Sequence, residues 1–456
     1  MILRPYQDDL VTRTRGSFRA GKRRPLIVLP TGGGKTVCFS YIAHGAVTLG
    51  NRVWIIAHRA ELIRQAGNTL AQFGVGHGII KAGVRPTESP VQVASIQSVV
   101  ARIGKVEPPD LIVIDEAHHA TAGQYRKVLD AYPSARVIGV TATPCRLDGR
   151  GLGDVFDDLI VGPSLGYLTD EGFLSPARYF APPVVADLSG VRTSRGDYAA
   201  NDLEESIAKP AITGDAVEHY RKFLDGKPML SFCVSVAHAE AVAQAYRAAG
   251  YRAASVDGGL KDTDRDDRIG GLATGKYQII TSCDLIGEGL DVPVCTGAQL
   301  LRPTQSLVLH LQQIGRVLRV APGKEHAIIL DHVGNLARHG FASEEREWSL
   351  ESKAKKQKQG EDVPVRSCPQ CFAAHEPAPV CPYCGFEYPP RPKSKMEIRA
   401  GELLEIEARR KDRKKEEAAC RSEEDFVRLG LERGYAKPRV WAYMRWKARG
   451  HRRFAK

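Results

Sequence analysis

The sequence predicts an α/β chain: two parallel-sheet domains in tandem, then a small four-cysteine module, then a basic helical tail. Three observations predict it. Short apolar runs recur between helix-length stretches in two separate blocks, and they lack the period-two alternation of half-exposed strands, as buried parallel strands do. A glycine-rich loop follows the first of these runs and leads into helical sequence. Past the second block, two Cys-x-x-Cys pairs stand nine residues apart.

The first block is expected over residues 1–165. Its strands are read at Leu26–Leu29, Val53–Ala57, Val91–Ala94, Leu111–Ile114 and Val137–Val140. The stretches between them are long enough for crossover helices, which gives a βαβ series. Residues 166–210 read as an irregular connector, marked by Pro182-Pro183 and by the turn signal Gly196-Asp197. The second block, 211–342, has strands at Met229–Val234, Arg252–Val256, Tyr277–Thr281, Ala298–Leu301 and Ala327–Leu330, with an Ala-rich helix from Ala237 to Ala249. Residues 343–365, with Lys353, Lys355, Lys356 and Lys358, read as a basic linker or exposed helix. The cysteine module occupies 366–390. A basic helical region fills 391–456 and opens with a charged helix from Glu397 to Arg421.

The 456 residues are 43% hydrophobic and 26% charged, an ordinary globular balance. No apolar run approaches the ~18 residues that cross a bilayer. Met1 to Leu10 carries charges in place of an apolar secretion core. The expected location is the cytoplasm, nucleoid-associated in a bacterium, with no membrane partner; protein partners are unknown. The net charge of +12 is uneven: residues 346–456 hold 27 Lys and Arg against 17 Asp and Glu, so the tail carries ten of the twelve excess charges. A basic tail suits a polyanion such as nucleic acid, and equally a solvated charged helix.

Leu29-Pro30-Thr31-Gly32-Gly33-Gly34-Lys35-Thr36 has the setting of a phosphate-binding loop. Small residues let backbone N–H groups curl around phosphate, and the helix N-terminus adds positive potential. Lys35 is placed to reach the β- and γ-phosphates of ATP and Thr36 to hold Mg²⁺. The strict form of this loop starts with Gly, a place taken here by Leu29 or Pro30. Leu111-Ile112-Val113-Ile114 then delivers Asp115 and Glu116 to the C-terminal end of a strand, where open α/β sheets bind ligands. Asp115 is a second Mg²⁺ anchor, through water, and Glu116 a general base toward attacking water.

Asp115-Glu116-Ala117-His118, with Thr141-Ala142-Thr143-Pro144 downstream, resembles motifs II and III of superfamily 2 DEAH-type helicases, a likeness that extends over roughly residues 1–335. The resemblance implies two RecA-like P-loop domains and accommodates the departure at Leu29 and Pro30. Arg4-Pro5-Tyr6-Gln7 is similar to the opening motif of the RadD/XPB-like branch of bacterial or phage DNA repair helicases, which implies that Arg4 and Gln7 lie at the adenine. Ala57-His58-Arg59 resembles motif Ia and Ser95-Ile96-Gln97 the next strand-contact motif, which implies that His58, Arg59 and Gln97 touch nucleic acid. Ser231 to Ser235 resembles motif IV, and Thr281 to Pro293 motif V, so that Ser235 and Thr281 face the strand while Gly289 and Asp291 face the nucleotide. Gln312-Gln313-Ile314-Gly315-Arg316-Val317-Leu318-Arg319 resembles motif VI, implying Arg316 and Arg319 as arginine fingers. His118, Thr141, Thr143 and Gln312 take coupling positions between ATP and strand. His119 is only a neighbour of this motif.

Ten cysteines are present, six of them scattered. Cys368, Cys371, Cys381 and Cys384 suit a closed tetrahedral Zn²⁺ site of structural type, with a redox pair as the alternative. The short Pro-rich loop between the pairs points to metal, in place of a hydrophobic core, as what holds the module. In the tail, Phe426, Tyr435, Trp441, Tyr443 and Trp446 alternate with bases, which fits either base stacking with phosphate contact or a helical hairpin with its own mini-core.

The reading is an ATP-dependent DNA helicase or translocase of repair, recombination or replication, acting on single-stranded or branched duplex DNA. Its alternatives are the motor subunit of a restriction system or an RNA helicase, and a non-catalytic zinc-containing DNA-binding protein. No carboxylate–lysine nuclease cluster is evident.

Overall fold

Seven strands form the first sheet: β1 (Pro25–Val28), β2 (Val53–Ala57), β3 (Gly78–Ile80), β4 (Val91–Ser95), β5 (Leu111–Asp115), β6 (Arg136–Thr141) and β7 (Asp158–Val161). All are parallel, in the order β3-β4-β2-β5-β6-β1-β7. Alternate side chains of one strand enter different cores. Ile55 and Val113 pack into one layer with Phe39 and Leu70, while Trp54, Ile56 and Ile112 pack into the other with Tyr125 and Leu129. Both layers are covered by helices, which is why these strands are apolar throughout. The structure is a computed structural model that describes residues 2–85, 87–146, 151–181, 191–194, 197–198, 203, 210–283, 292–351, 365–389, 416–433, 435 and 438–448.

The second sheet is built from β8 (Ala177–Phe180), β11 (Met229–Phe232), β12 (Ala253–Val256), β13 (Ile279–Ser282), β14 (Gly297–Leu300), β15 (Ala327–Asp331), β16 (Arg366–Ser367) and β17 (Ala373–His375), a separate hairpin being formed by β9 (Thr193–Ser194) and β10 (Asp197–Tyr198). Its order is β12-β13-β11-β14-β15-β8-β17-β16. Strands β12 to β8 are parallel, β17 runs antiparallel to β8, and β16 runs antiparallel to β17. Two features depart from the sequence expectation. Within the stretch expected to be a connector, Ala177–Phe180 is a sheet strand; only Tyr179 of its four residues is buried, so its apolar signature is thin. The cysteine module, for which the sequence points to metal in place of a hydrophobic core, is also joined to the sheet, because β17 pairs with β8 and buries Ala373 and Ala374.

The segment after the second block reads in sequence as a linker or an exposed helix. Its described part, through residue 351, is an extended strap with no helix. Arg346 donates to the carbonyls of His339, Phe341, Ala342 and Glu344, which holds the strap to the second domain. Further on, the strap reaches the first domain: Leu350 packs against the core around Leu152, Val155 and Phe156, and its carbonyl accepts from Gly153 N at 2.8 Å. On the side of the helix Ala60–Gln72, Arg64 pairs with Asp266 at 2.6 Å across the two blocks. The basic residues Lys353 to Lys358 and the helix expected from Glu397 lie largely outside the described residues.

Residues 389–456 form a separate unit. Its helices Glu423–Glu432 and Pro438–Ala448 make a hairpin, the first capped reciprocally by Ser422 and Asp425. Phe426 is buried against Trp441 and Trp446, at ring distances of 5.9 and 6.4 Å. Arg433 pairs with Glu416 and Glu417. These contacts are the mini-core alternative. Among the described residues, no helix is long and apolar enough to cross a membrane.

Candidate active site

The phosphate-binding loop follows β1, and the acidic pair ends β5; β6 lies between them, with Leu29 N donating to Thr141 O at 2.9 Å. Gly32 and Gly34 both adopt φ of +86°, where a side chain is strained. A Cβ on Gly34 would also stand 2.4 Å from Gln7 Nε2. The loop is braced from the N-terminus: Tyr6 Oη and Gln7 Nε2 both donate to Gly33 O, at 2.9 and 3.2 Å. Gln7 also accepts from Arg4 N at 3.0 Å. Gln7 is thus buried and turned onto the loop, and the group beside the cleft is Arg4, whose guanidinium lies 4.5 Å from the Phe173 ring centre.

Glu116 is a non-glycine residue in the left-handed region, φ 49° and ψ 55°, at a cost of about 1–2 kcal/mol. Its N–H donates to Asp115 Oδ1 at 3.0 Å. One carboxylate oxygen lies 4.0 Å from Lys35 Nζ and the other 3.5 Å from His118 Nδ1. Burial, and the Glu116 carboxylate beside it, push the Asp115 carboxyl upward, against the opposing pull of Lys35. Such a pair of buried acids, with the Thr36 hydroxyl at the same cleft, is a hard-oxygen donor set of the kind that suits Mg²⁺.

His118 Nδ1 also lies 3.3 Å from Thr141 Oγ1, which donates to Thr143 O at 2.9 Å. The motif II histidine and the threonines after β6 therefore form one buried chain beside Glu116. His119 enters it unexpectedly. Its ring stands 4.4 Å from His58 and 4.1 Å from His118, linking the residues after β2 to those after β5. A dipeptide of histidines carries no sequence signal of that placement.

The second domain closes the site. The helix Leu307–Gly315 ends against the loop, where a Cβ on Gly315 would lie 2.6 Å from Thr31 Cβ. Gln312 is buried in this helix. Arg316 and Arg319, just beyond it, line the same cleft of about 490 Å³ as Arg4, Thr31, Gly32, Gly34, Lys35, Thr36, Asp115, Glu116 and Phe173. Burial pulls the Arg319 guanidinium below its ordinary value. Phe173 and Leu174 come from the expected connector and escape sequence reading, because their value lies in reaching the loop from 140 residues away.

Of the expected strand contacts, His58, Arg59 and Gln97 follow the C-terminal ends of β2 and β4, and Gln97 is exposed. Ser235 caps the helix Val236–Ala248, accepting from His238 N at 3.1 Å. Thr281 is a correction: it is fully buried, and its hydroxyl donates to Ala239 O at 2.7 Å, tying β13 to that helix and leaving it no surface. Gly289 and Asp291 lie outside the described residues.

The four cysteines make a second centre. Cys368 and Cys384 sulfurs are 3.6 Å apart and those of Cys371 and Cys381 3.7 Å, with all four within 4.8 Å. A tetrahedron with Zn–S bonds of ~2.3 Å has an S–S edge of ~3.8 Å, so the donor set fits zinc. The two knuckles match: Phe372 N donates to Cys368 O and Gly385 N to Cys381 O, each from a residue of positive φ.

Two parallel-sheet domains that share one nucleotide-sized cleft, neither able to line it alone, place the chain among the nucleic-acid-dependent ATPases of helicase type. Residues 1–146 match the family described as type III restriction enzyme, res subunit, and residues 215–321 match the helicase conserved C-terminal domain. A 51.5 kDa protein of a Lactococcus phage (isolate 7-9) is 33% identical over 387 residues, 84% of this chain and 82% of that protein. The Saccharomyces cerevisiae protein IRC3, assigned as an ATP-dependent helicase, is 31% identical over 355 residues, 73% of this chain; the chain spans only 52% of that relative. Among solved structures, a fragment assigned to the HsdR subunit of a type I restriction enzyme from Vibrio vulnificus YJ016 shares the fold, with TM-score 0.60 at 24% identity over 75% of this chain and 67% of that one. The chain belongs to the superfamily 2 helicases, in one family with the phage protein.

Proposed function

We propose that the chain is an ATP-driven DNA translocase or helicase of the RadD/XPB-like branch, with one hydrolytic site between its two RecA-like domains. The observation that carries this is the single cleft shared by Lys35, Asp115, Glu116, Arg316 and Arg319. In this reading Lys35 leaves Leu29 O, now 3.5 Å away, for the β- and γ-phosphates of ATP. Thr36 and Asp115 would hold Mg²⁺, which would offset phosphate charge. Glu116 takes a proton from water as its oxygen attacks the γ-phosphorus and the bond to the β-phosphate oxygen breaks. Arg316 and Arg319 stabilise charge on the transferring phosphoryl only while the domains are closed, which couples closure to ATP. Arg4, over Phe173, lies where a base can stack.

DNA is favoured as the track by the restriction-enzyme family matched over residues 1–146, and the basic tail suits either nucleic acid. The same match supports a second reading, the motor of a restriction system. His58, Arg59, Gln97 and Ser235 are proposed to follow the strand, and His118, Thr141, Thr143 and Gln312 to relay the state of the cleft. Steady-state hydrolysis measured without polymer and with duplex, forked or single-stranded DNA or RNA is expected to rise with DNA. No hydrolysis in any condition would refute the motor, and stimulation by RNA alone would refute the DNA track.

We further assign a structural Zn²⁺ to Cys368, Cys371, Cys381 and Cys384. Metal analysis is expected to give about one ion per chain, since four thiolates make one closed site. Because β17 extends the second sheet, stripping the metal is expected to lower the thermal midpoint of the motor. An unchanged midpoint in metal-free protein would contradict the assignment.

A further inference from the structure

We infer that Lys324 is a positioning residue for the arginine loop, its ammonium gathering the carbonyls that fix the backbone from which Arg319 extends. This inference rests on the two-sided ATP site above. Lys324 Nζ donates to Val317 O at 2.6 Å, Arg319 O at 2.7 Å and Cys295 O at 2.7 Å, and Pro293 O lies 3.4 Å from it. Two of these carbonyls belong to the arginine loop. The other two belong to the segment leading into β14, and Pro293 itself lines the nucleotide cleft. One side chain therefore ties together two segments that both contribute to the cleft.

Local geometry makes the reach possible. Gly323 has φ of +74°, and Lys324 N closes a turn onto Ala321 O, folding the chain back under the loop. The remaining carbonyl of the loop is held from elsewhere, because Ser175 N donates to Leu318 O at 2.7 Å, with Ser175 Oγ also donating to Arg319 O at 3.3 Å. Carbonyls 317, 318 and 319 are thus all engaged, and the backbone bearing Arg319 has little freedom. Converging carbonyl dipoles repel one another unless a cation sits among them. An ammonium with three protons meets this need as a compact point charge. Burial, reinforced by Arg319 and opposed by Cys295, draws the Lys324 amine down to about 8, which leaves it charged at neutral pH. Without it, the carbonyls lose their shared donor and the arginine loop can move off the cleft.

A positioning role predicts a specific kinetic split. Lys324→Met is expected to lower kcat ~10–100-fold, less than the ~10²–10³ that outright removal of a transition-state donor costs because Arg319 itself is kept, with KM for ATP changed less than about threefold. Binding of ADP is expected to persist, while binding of ADP with aluminium fluoride, which mimics the transferring phosphoryl, weakens by a similar factor to kcat. Lys324→Arg, which keeps charge and donors, is expected to recover part of the rate. Should the Met variant not fold, Lys324→Leu, which likewise removes every donor, is read in the same way. A kcat within twofold of wild type, or an equal loss of ADP and ADP–aluminium fluoride binding, would overturn the inference. Arg319→Ala measured alongside separates the levels. A crippled Arg319→Ala beside a normal Lys324→Met sinks the Lys324 inference alone, whereas wild-type turnover in Arg319→Ala sinks the arginine assignment and this inference with it.

Discussion

Lys35→Ala is expected to abolish ATP hydrolysis and weaken ATP binding, whereas Glu116→Gln is expected to abolish hydrolysis with binding kept. The two side chains are only 4.0 Å apart, yet they meet different parts of the reaction. Lys35 faces phosphate charge in both ground and transition states, so its loss raises KM and lowers kcat. Glu116 acts on water, so its amide leaves the nucleotide in place and removes the base, lowering kcat by roughly 10²–10⁴-fold. Glutamine also keeps the size of the side chain at a backbone already held in the left-handed region, and so keeps the neighbourhood of His118. A filter-binding or fluorescent-nucleotide titration beside a phosphate-release assay separates the two outcomes. Lys35→Ala turning over at the wild-type rate would remove the site assignment altogether.

What sequence could and could not reveal divides along physical lines. The strands read from it, such as Val53–Ala57 and Leu111–Ile114, are buried on both faces, so every residue in them is apolar. The strands it passed over are short or half-exposed: β3 buries two of three residues, and β7 and β8 one of four each. The nucleotide loop and the acidic pair were legible because each acts through residues adjacent in the chain. Contacts made across the fold were not. Phe173 stands over Arg4, His119 bridges His58 and His118, and Lys324 holds the carbonyls of Val317 and Arg319, each by tertiary placement that no local pattern encodes. Thr281 shows the reverse error. A motif position marks an element, and the side chain there can still point into the core, as its bond to Ala239 O requires.

Arg316→Ala and Arg319→Ala are expected to separate nucleotide binding from catalysis more sharply than any change in the first domain. Both residues line the cleft from the second domain, whereas the loop, Lys35 and Thr36 are carried by the first. Arginine fingers in phosphoryl transfer are worth about 10³–10⁵ in kcat, and a loss of this order is expected for the residue that meets the γ-phosphate. The packing decides what else changes. Arg319 Cγ lies 3.8 Å from where a Cβ on Gly32 would be, and Leu174 bridges to Arg319, so Arg319 also fills space against the loop. Truncating it therefore removes packing as well as charge, and Arg319→Lys tests the charge separately: lysine keeps the stem but not the planar fork. If Arg319→Lys and Arg319→Ala lose kcat equally, the fork is what matters; if Lys restores most of the rate, charge alone suffices. Wild-type hydrolysis in both Arg316→Ala and Arg319→Ala would mean that the first domain hydrolyses ATP unaided, and closure of the second domain could then not gate the cycle.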